Sequence, residues 1–258
     1  MDCGLREHTA HATRALLGLL IPELGPVARD VDAVLERAQA LSDEWQDLLA
    51  RAGVVEPAAV REAWWGQLPA IASSLEADAQ ALYDHDPAAS SVDEVKVAYP
   101  GFFALGVYRL AHALHRAGTP LLPRLMTEYA HRETGIDIHP GARLASPVVI
   151  DHGTGLVIGE TTEVGRNVIL YQGVTLGALS VTKRQAGRKR HPTLEDDVIV
   201  YAGATILGGD TRIGRGSVVG GGVFLTESIP PESQVLNRPE IEVRPRKRLA
   251  ATPREENP

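Results

Sequence analysis

Apolar residues obey two different periods along this chain. In the front half, Val31, Val34, Leu35, Ala38, Leu41, Trp45, Leu48 and Leu49 fall on one stripe of a 3.6-residue helix. Asp30 stands ready as its N-cap and Gly53 as its stop. A second helix is predicted from near Pro69, carrying Ile71, Leu75, Ala79 and Leu82. A third carries Phe102, Phe103, Leu110 and Leu114 and ends at Gly118. Pro120 and Pro123 frame a last short helix, and Ala15 to Ile21 reads as a buried one. From Ile138 the period changes to six: Ile138, Leu144, Ile150, Leu156, Val168 and Val174, with polar Thr162 in the series. A second column runs Ile158, Val164, Leu170 and Leu176. The count resumes at Leu194, Val200 and Ile206, then slips by one to Ile213, Val219 and Leu225.

A period of six fits neither a helix nor plain strand alternation. It predicts a hexapeptide-repeat parallel β-helix, in which short strands stack coil on coil. The fold class expected is therefore α+β: a helical domain over 1–133, a β-helix over 134–234, and a tail over 235–258 that has little to bury. An aromatic fraction of 5% against 44% hydrophobic suits a narrow interior of Val, Ile, Leu and Ala. A net charge of −7 argues against a nucleic-acid partner. No apolar run approaches the ~20 residues of a membrane helix, and the single Cys3 suits a reducing, cytoplasmic setting.

The prism is built from backbone, so chemistry is expected where the count breaks. The long break, between Leu176 and Leu194, holds a loop with Lys183, Arg184, Arg188, Lys189, Arg190 and His191. Such cations either form a solvated face or bind a phosphate or carboxylate. Asp137 and His152 lie 15 residues apart, which in a coil of about 18 residues brings them near one corner. A carboxylate beside an imidazole orients it as a base; the alternative is a turn-capping Asp137 and an inward-packed His152. His139, His152 and His191 raise the possibility of a zinc hydratase, but their spacing matches no recognised ligand set. A non-catalytic scaffold is a further alternative.

The strings DIHPGA (137–142), IDHGTGLVIGETTEVG (150–165), VTLG (174–177), RHPTLEDDVIVYAGATILGG (190–209) and IGRGSVVGGG (213–222) resemble the serine O-acetyltransferases of the hexapeptide acyltransferase superfamily. The resemblance implies a left-handed β-helix and transfer of acetyl from acetyl-CoA to the hydroxyl of L-serine, as in the first step of cysteine biosynthesis. It implies His152 as general base and Asp137 as its orienting partner. Asp86 and Asp151 would hold the serine ammonium, and Arg190 and His191 its carboxylate. Acetyl-CoA, a co-substrate rather than a tightly bound cofactor, would lie against Gly177, Ala178, Ala202, Gly203 and Gly221, with no metal required. A groove between prisms implies a homotrimer, which the helical domain can pair into a dimer of trimers. The loop is longer and more basic than the family's usual form. Relatives that dock into O-acetylserine sulfhydrylase end in isoleucine; this chain ends in Pro258, so no tight complex of that kind is expected. Homoserine and sugar acceptors remain same-fold alternatives, although a neutral sugar would have no use for an acidic pair and an arginine.

Overall fold

The computed structural model describes residues 3–26, 30–180 and 187–238. The expected tail beyond 238 and, of the basic cluster, Lys183 and Arg184 lie outside the described residues. Seven helices come first: α1 (Cys3–Leu20), α2 (Val31–Arg51), α3 (Pro57–Trp65), α4 (Leu68–His85), α5 (Val92–Ala98), α6 (Pro100–Arg116) and α7 (Leu122–Thr134). Asp30 caps α2 by accepting from the Ala33 amide at 2.8 Å. Gly135, left-handed at φ +72°, closes α7 and turns the chain into the β-helix.

The helical core is centred on Trp45 and Trp64, whose rings meet edge to face at 4.8 Å. The α2 stripe is only half used, which corrects the expectation from periodicity. Leu41, Trp45, Leu48 and Leu49 are buried, whereas Val31, Val34 and Leu35 are exposed because no described element packs over the first turns of α2. Helices α3 and α5 have no counterpart in the sequence reading. Both are short, and their apolar residues do not complete a recognisable stripe.

The β-helix has three parallel sheets. Sheet A contains β1 (Asp137–Ile138), β4 (Val157–Ile158), β7 (Thr175–Gly177), β10 (Thr205–Leu207) and β13 (Phe224–Leu225). Sheet B contains β2 (Arg143–Leu144), β5 (Glu163–Val164), β8 (Thr193–Leu194) and β11 (Arg212–Ile213). Sheet C contains β3 (Val148–Asp151), β6 (Val168–Tyr171), β9 (Ile199–Val200), β12 (Val218–Val219) and β14 (Gln234–Val235). The inward ladder Ile138–Ile158–Leu176–Ile206–Leu225 runs up sheet A one rung per coil, while the count of six runs around each coil from sheet to sheet. Each buried aliphatic rung contributes roughly 1.5–3 kcal/mol of apolar burial.

Several joints fix the helical domain to the prism, two of them on α6. The Tyr108 hydroxyl donates to the Ala142 carbonyl at 2.7 Å and accepts from the Leu144 amide at 3.1 Å. Gly101 at the start of α6 lies so close to the Ile150 carbonyl that a Cβ there would clash. This close approach brings α4 and α6 against β3, the edge strand of sheet C.

Candidate functional site

Two of the breaks in the six-residue count carry the candidate site. Ile150 to Ile158 is eight residues, whereas Leu170 to Leu176 and Val200 to Ile206 are six. The two extra residues fall in the turn Asp151–Leu156, between sheet C and sheet A. There His152 adopts a left-handed φ of +55°. Its side chain points out of the prism and is 76% exposed, unlike the inward alternative considered above.

Around it, β3 and the helical ends supply two carboxylates. His152 Nε2 lies 3.9 Å from Asp151 Oδ1, and Asp151 Oδ2 lies 3.7 Å from Nε2 of His85, the last residue of α4. The same His85 nitrogen is 3.0 Å from the Tyr171 hydroxyl. Asp86, next along, accepts from the Tyr99 hydroxyl at 2.6 Å and the Ala88 amide at 2.8 Å. The Tyr99 bond, then the Ala88 amide, hold the Asp86 carboxyl below its ordinary range. Conversely, donation to Asp86 pushes the Tyr99 phenol up to about 12. Asp137 begins β1 one coil below, beneath Val157, and is half-buried. No hydrogen bond or ion pair joins Asp137 to His152 among the described residues, so the orienting contact is not formed; the nearer carboxylate is Asp151.

The second break lies at the opposite edge of sheet A, where β4 turns into β5. From Leu176 to Leu194 is eighteen residues where the count needs six, and the returning end of that loop seats on the turn Gly159–Thr162. Thr161 organises the seat. Its Oγ1 accepts from the amides of Arg190 and His191, at 2.9 and 3.1 Å, and lies 2.9 Å from His191 Nδ1. The Thr161 amide also donates to Nδ1, at 3.1 Å. With Nδ1 accepting, the imidazole proton sits on Nε2. Burial pushes His191 down to about 4, so the ring is neutral at pH 7. The ring lies over Gly159, where any Cβ would collide with it. The Arg190 guanidinium pairs with Glu160. Gly177 stacks over Gly159 at this same edge, followed by Ala178.

Ala202, Gly203 and Gly221 belong to the first edge. The Gly203 amide bonds the Gln172 carbonyl, and the Gly222 amide bonds the Ala202 carbonyl, both at 3.0 Å. Gly173 and Gly203 stack with φ of +69° and +70°, leaving bare backbone at these two positions of the edge. The candidate residues thus separate into two groups. Asp86, Asp151 and His152 share one edge with Ala202, Gly203 and Gly221, whereas Arg190 and His191 share the other with Gly177 and Ala178. The face of the prism between them, from Leu156 to Gly159 through β4, holds the two edges on the order of 10 Å apart. His139 and His191 flank the second edge and His152 the first, so the three histidines do not converge. Among the described residues, no group of three or more His, Cys, Asp and Glu side chains is arranged to hold a metal ion. No helix among them is long and apolar enough to cross a membrane.

No family model matches the chain. The structure superposes on Entamoeba histolytica serine acetyltransferase 1, solved in complex with L-cysteine, with a TM-score of 0.81 and 33% identity, covering 87% of this chain and 86% of that one. The chain belongs to the serine acetyltransferase family. A Brucella abortus serine acetyltransferase solved with coenzyme A is 31% identical at a TM-score of 0.63, over 90% of this chain and 80% of that one. A plasmid-borne serine acetyltransferase of Synechococcus elongatus is 52% identical over 171 residues, 64% of this chain. The match spans only 53% of that relative's length. Within this family member, the sequence reading missed His85, Tyr171, Glu160 and Thr161. Glu160 and Thr161 lie inside the string 150–165 and Tyr171 opens the segment that runs into VTLG, but their partners are distant in the sequence; the readable signal was the eight-residue step from Ile150 to Ile158, which marks the first edge as a second interruption.

Proposed function

We propose that this chain transfers acetyl from acetyl-CoA to the hydroxyl of L-serine, giving O-acetylserine and CoA, at a site shared by two copies of the chain. The observation that carries this reading is the division of the serine ligands. Asp86 and Asp151, beside the outward His152, suit an ammonium group and a hydroxyl to be deprotonated. Arg190 and the Nε2–H of His191 suit a carboxylate. The charged ends of one serine are only a few ångströms apart and cannot bridge two edges of a single prism. Packing of prisms about a threefold axis sets the second edge of one copy against the first edge of its neighbour. The site is therefore complete only in a homotrimer. The exposed stripe on α2 supports further pairing of trimers through the helical domain.

In this reading His152 takes the proton from the serine hydroxyl. The alkoxide attacks the thioester carbonyl, and the oxyanion is stabilised by backbone N–H groups near Gly177 or Ala202. Collapse of the tetrahedral intermediate breaks the C–S bond, and the departing thiolate takes the proton back from His152. Asp137, on the coil below, orients the imidazole once the ring turns toward it. Acetyl-CoA enters as co-substrate along the groove, against Gly177 and Ala178 of one copy and Ala202, Gly203 and Gly221 of the next. Bare backbone at both edges permits close approach of the pantetheine arm.

The test is thiol release from acetyl-CoA with serine, homoserine and a panel of sugars, for the wild type and His152→Ala. Release dependent on serine and lost in His152→Ala is expected. Full activity in that variant, or a sugar preferred to serine, overturns the reading.

A further inference from the structure

The first edge of the prism carries a column of residues, one per coil. The Gly173 amide donates to the Thr154 carbonyl, the Gly203 amide to the Gln172 carbonyl and the Gly222 amide to the Ala202 carbonyl, each at 3.0 Å. These equivalent bonds set Thr154, Gln172 and Ala202 above one another. Gly221, where a Cβ would come 3.3 Å from the Ala202 carbonyl, continues the column. Successive rungs are about 4.8 Å apart. His152 belongs to the same turn as Thr154, at the lowest rung. Ala202, Gly203 and Gly221, which line the coenzyme arm in the reading above, belong to the two highest. The acetyl thioester, which must lie between base and arm, therefore falls at the level of Gln172.

Other donors at that level are already engaged. The Gly173 amide is spent on Thr154, and the Tyr171 hydroxyl lies 3.0 Å from His85 Nε2. Ala202 and Gly221 above bring no polar side chain. Gln172 is exposed, and its carboxamide has no hydrogen-bond partner among the described residues. Water satisfies such an amide on a lone prism. In a trimer whose neighbour covers this edge, the amide needs a partner.

We propose that Gln172 is a catalytic residue whose side-chain amide donates to the thioester oxygen as negative charge develops there. This inference rests on the serine acetyltransfer reading given above. His152 takes the hydroxyl proton, the serine oxygen bonds to the acetyl carbon, and the carbonyl π pair moves onto oxygen, where Gln172 Nε2–H meets it. As the C=O bond re-forms, the C–S pair leaves with sulfur, and the thiolate takes the proton from His152. Gln172 keeps its own protons throughout. It binds the oxyanion more tightly than the neutral carbonyl, so its contribution appears in kcat.

The experiment measures kcat and both KM values by thiol release for the full-length wild type, Gln172→Ala and Gln172→Glu, with the assembly mass of each followed by light scattering. Glutamate keeps the shape of glutamine, but its carboxylate has no N–H to donate. Both variants should keep the wild-type mass and lose about a hundredfold in kcat, with each KM within about twofold of wild type. A kcat within about threefold of wild type in either assembled variant overturns the inference, as does a loss that falls on KM alone. If Gln172→Ala alone fails to assemble, Gln172→Glu decides. Failure of both to assemble overturns the inference by making Gln172 an interface contact. Wild-type enzyme that releases no thiol with serine overturns the underlying functional reading, and this inference with it.

Discussion

Asp78 is the side chain whose loss should most disturb both stability and the site. It lies on α4, fully buried, and takes Arg109 Nε at 2.5 Å and Nη2 at 2.8 Å. Ser146 Oγ and the Val148 amide each donate to its Oδ1 at 3.0 Å. One carboxylate thereby ties α4 and α6 to the strand that leads to Asp151 and His152. Burial pushes the Asp78 carboxyl up, outweighing the pull of Arg109, so its charge is held at a net cost at neutral pH. The pair should accordingly be a weak net stabiliser but expensive to break. Asp78→Ala leaves the Arg109 side chain, only 9% exposed, without its counter-ion, at a cost of about 3–5 kcal/mol. The double variant Asp78→Leu/Arg109→Leu removes both charges and should cost no more than the single one. The eight residues from Asp78 to Asp86 span about 12 Å of helix, so loosening this anchor should also raise KM for serine. Urea denaturation followed by far-UV circular dichroism, with serine kinetics on the same samples, measures both effects. A loss below about 1 kcal/mol for Asp78→Ala, or a double variant as costly as the two single variants added, refutes the reasoning.

Two further outcomes follow from the second edge of the prism. Burial pushes His139 and His191 down to about 4 each, below the ordinary value of about 6.5. Their neutral forms therefore stabilise the fold above pH ~6.5, and that stability falls as pH drops toward 4. Urea midpoints should decrease between pH 7.5 and 5, less steeply in His139→Gln; an equal slope in that variant removes His139 as a contributor. Gly159→Ala puts a methyl group into the His191 ring. It should reduce kcat/KM for serine by about tenfold or more through the loss of a charge-assisted hydrogen bond, with KM for acetyl-CoA less affected. Wild-type serine kinetics in that variant would separate His191 from acceptor binding.

The prism was legible because its interior repeats. Ile158, Leu176 and Ile206 appear in the sequence at the very positions where they stack. The helical half was less so. The same stripe runs the length of α2, and nothing in the sequence shows that packing begins only at Leu41. Of the site, His152, Asp151, Arg190 and His191 were readable as motif residues at breaks in the count. Their division between two edges was not, because a coil of about 18 residues hides the two extra residues before Ile158, and those residues throw His152 outward. Asp137 shows what spacing leaves open: it stands one coil below the turn that carries His152, but spacing does not say which way the imidazole faces. His85 and Tyr171 meet across 86 positions, through a pairing that only the folded register creates.

The central claim is that one site is built from two chains. His152→Ala and His191→Ala each disable a different edge, so each homotrimer should be inactive. Co-expressed in equal amounts, they should assemble at random so that each mixed trimer has one interface joining an intact His152 edge to an intact His191 edge, about a quarter of all interfaces in the population. The account predicts activity near that fraction of wild type, with wild-type KM for serine at the restored sites. Mixed trimers no more active than either parent would contradict it.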